Sequence, residues 1–184
     1  MTLDPVIACH RFSVHDLGRI RQVLLVVYVE VYADRLVDPF FSAERFIDRL
    51  DSQITAPRWE AVVGYHSDQP IGYAYGALLR PNTTLWQNMD PVPPDAFIAE
   101  SAGRTFFMFE LMLRSSWRKR DLSKHLHDAL LAGRAETRVA LTVEHDHPRV
   151  RALYESWGYI NMGADRPMAD APLYDVMVLD RPTA

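Results

Sequence analysis

Residues 105–113 read TFFMFELML, an apolar run that only Glu110 interrupts. A strand buried on both faces has such a continuous apolar sequence, whereas a half-exposed strand alternates between apolar and polar residues. The run therefore predicts a central strand of a sheet. Residues 118–124, RKRDLSK, follow as a basic turn, and residues 122–131 then carry leucines at the spacing of one helix face. A buried strand, a basic turn and an amphipathic helix thus succeed one another.

The flanking sequence predicts further strands and helices. Residues 23–29 favour a strand by their β-branched composition, but the apolar residues around them recur at helical spacing, so we predict a helix that ends before Pro39. The other predicted elements are strands at 7–12, 59–65, 71–79, 139–143, 159–162 and 173–179, and helices at 42–53 and 148–157.

Residues 81–101 break all periodicity and contain four prolines and Trp86. Loops of this length in compact domains are typical of lids, binding loops or disordered segments. A lid over a substrate and a plain surface excursion both fit this segment. Because neither half of the chain could fold alone, we expect residues 1–184 to form a single domain with a long loop insertion at 81–101.

Composition and charge exclude several classes of partner. The chain has 184 residues, 48% hydrophobic and 24% charged, which fits one globular domain. A formal charge of −4 gives no global attraction to nucleic acid or to an anionic membrane. Residues 23–29 are too short a run to span a bilayer, residues 1–10 lack the apolar stretch of a signal peptide, and the single Cys9 excludes an internal disulfide. We expect a cytoplasmic protein without a nucleic-acid or membrane partner.

Three segments together resemble a known family: residues 109–113, FELML, the basic turn with its helix, and residues 152–159, ALYESWGY. They are similar to the GNAT superfamily, the Gcn5-related N-acetyltransferases. The resemblance implies an α/β (α+β) fold with a mixed, mainly antiparallel sheet, a splayed fourth and fifth strand pair, and flanking helices. It also implies an enzyme that transfers acetyl from acetyl-CoA to a primary amine of a small molecule.

The resemblance also implies how acetyl-CoA would bind. Backbone groups of the fourth strand would bond pantetheine, and a phosphate loop would hold the diphosphate at the start of the following helix. The family pattern has glycine where this chain has Asp121, and glycine or alanine where it has Ser123. The implied cofactor-binding residues are Leu111, Leu113, Arg118, Lys119, Arg120, Asp121, Leu122, Ser123 and Lys124.

Asp121 argues against a diphosphate. A carboxylate at a helix start is a favoured N-cap, which we expect to accept hydrogen bonds from the amides of Ser123 and Lys124 and so to compete with the ligand. Neighbouring cations would offset its charge, because guanidinium and ammonium groups bind phosphate. An alternative therefore stands beside the enzyme: a degenerate GNAT-like domain with weak or no acetyl-CoA binding, serving as a binding or regulatory module or using another acyl donor.

Acetylation of an amine requires a base for the ammonium and an acid for the leaving thiolate. The resemblance implies that Tyr154 is the acid. Glu110 is the first candidate base, because burial in an apolar strand would raise its pKa, although its alternation with Leu111 and Leu113 places its side chain on the face away from the pantetheine. Glu144, at the end of the fifth strand, is the second candidate, and structural roles stay open for both glutamates.

A metal site and a homodimer are the remaining questions that the sequence raises. Residues 144–147, EHDH, place two histidines on one face if the strand continues. Because the sequence shows no second cluster of ligands, we predict no metal. A homodimer stays open, since the loop at 81–101 could pair with a second subunit.

Overall fold

The computed structural model describes residues 7–118 and 121–181. Seven strands and five helices lie in the described residues, in an order close to the predicted one. They are β1 (Ala8–Ser13), α1 (Leu17–Val31), α2 (Ala43–Gln53), β2 (Glu60–His66), β3 (Gln69–Leu78), α3 (Asp95–Ile98), β4 (Thr105–Leu113), α4 (Leu122–Leu131), β5 (Arg138–Glu144), α5 (Pro148–Ser156), β6 (Ile160–Asp165) and β7 (Tyr174–Asp180).

The strands form one sheet in the order β1-β2-β3-β4-β5-β7-β6. β1 with β2, β2 with β3, β5 with β7, and β6 with β7 pair antiparallel, whereas β4 and β5 pair parallel. The parallel register joins Thr105–Phe107 to Arg138–Ala140, which is three residue pairs out of strands of nine and seven residues. This mixed, mainly antiparallel sheet confirms the predicted fold class.

The chain divides into two compact units. The first contains the described residues of 7–77 and 109–134, and the second contains those of 78–108 and 135–181. The single domain over residues 1–184 stays a prediction.

The core of the first unit lies among α1, α2 and the strands β1–β3. Ile20, Leu24 and Val27 of α1 are fully buried against it, so the helical spacing decided the structure over the strand propensity of residues 23–29. The helix ends at Val31, earlier than the predicted limit before Pro39. α2 begins after Ser42, whose hydroxyl accepts a hydrogen bond from the Arg45 amide at 3.2 Å.

Close approach of β3 and β4 explains one glycine of the first unit. A Cβ atom on Gly72 would collide with the Met112 carbonyl oxygen, and the Arg114 amide donates to the Ile71 carbonyl at 2.9 Å. Gly133, which follows α4, adopts a φ of 72°, the left-handed conformation that glycine favours after the end of a helix.

The core of the second unit includes the predicted loop insertion. Arg138 is 2% exposed and donates to Glu100 Oε2 at 2.6 Å, to Thr105 Oγ1 at 2.7 Å and to the Phe97 carbonyl at 2.9 Å. Its guanidinium carbon also lies 4.7 Å from the ring centroid of Trp86, whose indole donates to the same Glu100 oxygen at 3.2 Å. These bonds fix the segment 81–101 at the first residues of β4 and β5.

This anchoring makes the insertion a structural part of the second unit. Trp86 is 1% exposed, and the Asp90 amide donates to the Ala164 carbonyl of β6 at 2.8 Å. A segment that carries a buried ion pair and a buried tryptophan is expensive to move. Of the two interpretations of the sequence, the structure favours the fixed excursion over the lid. Among the described residues, moreover, no helix combines the length and the apolarity needed to cross a bilayer.

Candidate functional site

The basic turn follows the last residue of β4, and its backbone differs from the predicted cap. Asp121 is the residue before α4, but it adopts φ 52° and ψ 12°. An N-cap side chain reaches the helix amides from an extended backbone, which the left-handed conformation does not supply. Within the described part of the chain, the Asp121 carboxylate accepts no capping hydrogen bond. The expectation that it occupies the amides of Ser123 and Lys124 is therefore wrong.

The left-handed backbone at Asp121 is the conformation that glycine adopts most readily. Aspartate and asparagine tolerate it better than other residues do. This position thus keeps a glycine-like backbone although its residue departs from the family pattern. The side chain of Asp121 is exposed.

Two of the predicted phosphate-binding cations lie within the described residues. Arg118 is exposed, and its Nε donates to the Leu113 carbonyl at 3.4 Å. The Lys124 ammonium contacts both carboxylate oxygens of Asp128, at 2.7 and 2.6 Å, one turn further along α4. Lys119 and Arg120, also predicted to bind the cofactor, lie outside the described residues.

These residues fit a diphosphate. α4 has ten residues, and the amides of its first turn carry the positive end of the helix dipole. The Asp121 carboxylate does not cap them, and Arg118 adds a guanidinium beside the end of β4. The negative charge of Asp121 opposes the ligand, but from an exposed position where water screens it.

Glu110 stands apart from the apolar residues around it. Its side chain is half-buried, and it forms no hydrogen bond or ion pair with any described residue. Burial raises the pKa of its carboxyl to about 7, and the positive charge of Arg49 moderates that rise. The charge of Glu110 acts on the hydroxyls of Tyr28, Tyr73 and Tyr75. A carboxyl in this state can gain or lose a proton near neutral pH.

The charge of this carboxyl acts on three tyrosine hydroxyls, and their hydrogen-bond partners differ. Tyr28 donates to the Phe41 carbonyl at 3.0 Å, and Tyr75 donates to Gln53 Oε1 at 2.9 Å. The Tyr73 hydroxyl is fully buried and has no partner among the described residues. A buried hydroxyl without a partner costs roughly 1–3 kcal/mol. The unpaired hydroxyl therefore marks a place where a further polar group would stabilise the protein.

Arg49 of α2 is the cation of this neighbourhood. It donates from Nη1 to the Phe40 carbonyl at 2.8 Å and from Nη2 to the Tyr28 hydroxyl at 3.2 Å. No described carboxylate lies within 4.0 Å of its guanidinium. Although burial lowers the pKa of Arg49, the charge of Glu110 and the bond with Tyr28 raise it by more. Sequence reasoning missed Arg49, because it stands among the ordinary charged residues of an amphipathic helix.

The second unit contains Tyr154 and Glu144. Tyr154 of α5 is 8% exposed, and its ring makes edge contacts with Trp157 at 5.1 Å and Tyr159 at 5.5 Å between centroids. Glu144 Oε2 lies 3.6 Å from His147 Nε2. These contacts show what surrounds each side chain. The chemical roles predicted for Tyr154 and Glu144 stay predictions.

A second group of charges in this unit centres on Asp175 of β7. His145 Nδ1 lies 2.8 Å from one oxygen of Asp175, and Arg151 Nη1 donates to the other at 2.9 Å. Burial raises the pKa of Asp175, but these two hydrogen bonds outweigh it and lower the pKa below its usual value. No group of described residues has the composition of a metal site.

The amino-acid sequence of residues 25–159 matches the acetyltransferase (GNAT) family. The chain belongs to this family. The matched residues include the basic turn and the predicted catalytic residues Glu110, Glu144 and Tyr154. A GNAT acetyltransferase moves an acetyl group, so membership supports acetyl transfer in general. Comparison with curated proteins gives no match.

Solved GNAT structures share the fold at low sequence identity. PaiA N-acetyltransferase from Thermoplasma acidophilum, in complex with coenzyme A, is 12% identical, with a TM-score of 0.55 over 95% of this chain and 99% of that chain. Aminoglycoside 6'-acetyltransferase type Ii is 18% identical, with a TM-score of 0.62 over 95% and 99%. YncA from Salmonella typhimurium, with its cofactor acetyl-CoA, is 12% identical, with a TM-score of 0.58 over 97% and 96%.

The structure distributes the predicted GNAT site residues over both units. The first unit holds Glu110 with the described members of the predicted cofactor set, which are Leu111, Leu113, Arg118, Asp121, Leu122, Ser123 and Lys124. Tyr154 and Glu144 belong to the second unit. Met112 of β4 belongs to the first core, and the charge of Glu110, two residues before it, acts on Tyr73 of that core.

Proposed function

We propose that this GNAT protein is an N-acetyltransferase that transfers acetyl from acetyl-CoA to the primary amine of a small molecule. Family membership supports the transfer of acetyl. The observation that carries the choice of an amine is the Glu110 carboxyl, which has no ion-pair partner among the described residues and a pKa raised to about 7.

Glu110 acts as the general base. An amine reaches the enzyme as an ammonium ion, which has no free electron pair until a base removes one proton. The Glu110 carboxylate accepts that proton at one of its oxygens, and a pKa near the working pH suits this transfer in both directions. Glu144 is the second candidate for this role.

The cofactor-binding residues are proposed in the first unit. Acetyl-CoA, when bound, supplies the acetyl group as a thioester. Backbone groups of Leu111 and Leu113 would bind its pantetheine, while Arg118 and the first-turn amides of α4 would hold the diphosphate. The proposed set is completed by Lys119, Arg120, Asp121, Leu122, Ser123 and Lys124. Tyr154 of the second unit is proposed to donate the proton to the leaving thiolate.

Calorimetry with acetyl-CoA, followed by an assay of thiol release with a panel of primary amines, tests the proposal. We expect binding at micromolar to submillimolar ligand and acetylation of at least one amine, with both responses saturable. Absence of acetyl-CoA binding at millimolar concentration would overturn it.

Asp121 supports a second candidate function, a binding or regulatory module with weak acetyl-CoA affinity. The negative charge of Asp121 favours this alternative. The stronger argument for it was that the Asp121 carboxylate would compete with the diphosphate for the amides of α4, and that argument falls because the carboxylate does not cap the helix. The module would bind a ligand without releasing thiol from acetyl-CoA, which the same assay detects. The cytoplasmic location and the homodimer stay predictions from the sequence.

A further inference from the structure

The first unit contains a cation and an anion that the fold brings near each other and leaves unpaired. Arg49 donates to the Tyr28 hydroxyl at 3.2 Å, and Tyr28 belongs to the same core as Tyr75. The Tyr75 ring lies 6.3 Å from that of Phe109, the residue before Glu110. The charge of Glu110 acts on both tyrosines, so the two charges share one neighbourhood. Among the described residues, neither charge has an ion-pair partner within 4.0 Å. Proteins rarely leave half-buried charges in this state unless another group compensates them.

Arg49 has capacity for such a group. A guanidinium carries five N–H donors, and two of its nitrogens donate to neutral oxygens, the Phe40 carbonyl and the Tyr28 hydroxyl. Those two bonds hold the guanidinium in place and leave its positive charge uncompensated. Planar guanidinium groups bind carboxylates through paired, charge-assisted hydrogen bonds.

We propose that Arg49 binds an anionic group of the acceptor, so that the acceptor is a zwitterion such as an amino acid, with its amine at Glu110 and its carboxylate at Arg49. This inference rests on the proposed function, because it assigns the second charge of the same substrate. It makes Arg49 a specificity-determining residue of the acceptor site.

The surrounding side chains agree with a small zwitterion that has an apolar body. Aromatic rings stack beside these charges, with Tyr28 and Tyr32 at 4.7 Å and Tyr32 and Phe41 at 5.2 Å between centroids. Arg35 lies over the Phe41 ring at 3.7 Å and adds a second positive charge. A polycationic amine would meet repulsion from Arg35 and Arg49, whereas an acceptor with one amine and one carboxylate meets an opposite charge at each end.

Matched pairs of acceptors test this inference. Each pair consists of an L-amino acid and the amine that lacks only its carboxylate: phenylalanine with 2-phenylethylamine, leucine with 3-methylbutylamine, and methionine with 3-(methylthio)propylamine. In the pair that the wild-type protein acetylates best with acetyl-CoA, we expect kcat/KM for the amino acid to exceed that for the amine by about 10–100-fold, chiefly through a lower KM. A difference of this size corresponds to the free energy of charge-assisted hydrogen bonds in proteins.

Variants of Arg49 show whether the guanidinium is the cause. Arg49→Met should remove the preference, because it should lower kcat/KM about 10–100-fold more for the amino acid than for its decarboxylated amine. Arg49→Lys should show an intermediate preference, because lysine keeps the positive charge but lacks the planar guanidinium that binds both carboxylate oxygens. Arg21→Met is the matched control, since Arg21 of α1 pairs with Asp51 at 2.5 and 2.7 Å. A purely structural role of Arg49 would lower both members of a pair alike, and that result overturns the inference.

The outcomes separate the inference from the proposed function. Acetylation of amines without any preference for the carboxylate overturns the inference and leaves the proposed function intact. If no amine is acetylated, the proposed function fails, and calorimetric titration of the same pairs decides the inference by itself. Binding of an amino acid that Arg49→Met weakens supports it, and equal binding or no binding of both members of every pair contradicts it.

Discussion

The two units bury charge in opposite ways. In the second unit, Arg138 and Glu100 form an ion pair at 2.6 Å with side chains 2% and 0% exposed, and neighbouring donors bond to the same Glu100 oxygen. In the first unit, the charges of Glu110 and Arg49 shift each other's pKa, although the two side chains form no ion pair. A closed pair fixes a segment of chain, whereas open charges can take a proton or a ligand. We therefore propose a structural role for the ion pair of the second unit and a chemical role for the unpaired charges of the first.

The largest effect should come from removing the open carboxyl. Glu110→Gln deletes the proposed base and should lower kcat/KM for amine acetylation by about 100–10,000-fold. Steady-state thiol release measures it, and Glu155→Gln, at an exposed residue 3.8 Å from Arg151, is the matched control. A larger loss in Glu144→Gln than in Glu110→Gln would move the base to Glu144.

Opening the closed pair should instead cost stability. Arg138→Met leaves the Glu100 carboxylate buried without its cation and should lower the free energy of unfolding by about 3–5 kcal/mol. Urea denaturation measures this change. Adding Glu100→Gln should restore part of the loss, because the uncompensated charge disappears. If the single variant unfolds at the wild-type urea concentration, the insertion is not held by this pair.

The pH dependence of stability should distinguish the two units by its sign. The Glu110 carboxyl has a pKa of about 7 in the folded protein against 4.5 as the usual value, so the folded state binds more protons between these limits. Its contribution to stability therefore falls as the pH rises from about 4.5 through 7. For Asp175, whose pKa is lowered, stability is instead lost as the pH falls through the acid range.

Glu110→Gln isolates the first of these contributions. The free energy of unfolding of the variant should exceed that of the wild type by on the order of 1–3 kcal/mol at pH 8, and by little at pH 4.5. This range allows for the partial exposure of the side chain. The groups facing Glu110 are Arg49, Tyr28, Tyr73 and Tyr75, whose pKa values all lie above their usual high values, so they keep their protons in this range. Urea denaturation at both pH values measures the gain, and an equal gain at both would contradict the raised pKa.

The smallest effect concerns the basic turn. Asp121→Gly removes an exposed negative charge and suits the left-handed backbone, so it should tighten acetyl-CoA binding by about 3–10-fold. Calorimetry measures the change, and Asp121→Asn separates charge from backbone, since asparagine tolerates the same conformation. A gain of several hundredfold would favour the degenerate module over the enzyme.

The sequence predicted the elements well because their signals are local. The apolar run 105–113 gave the bounds of β4, and the spacing in α1 outweighed its β-branched composition. The Asp121 cap was wrong because N-cap preference assumes an extended backbone, which a glycine-like turn does not have. Contacts between distant residues left no sequence signal: Arg138 and Glu100 are 38 residues apart, and Arg49 looks like any charged residue of an amphipathic helix.

The central claim is that an unpaired Glu110 carboxyl accepts the proton of an amine. The most direct test compares the pH profiles of kcat/KM for the wild type and Glu110→Gln from pH 5 to pH 9. The wild-type value should rise about tenfold per pH unit and level off near the Glu110 pKa of about 7, whereas the profile of the variant should show no bend there. The same bend near pH 7 in both proteins would contradict the claim.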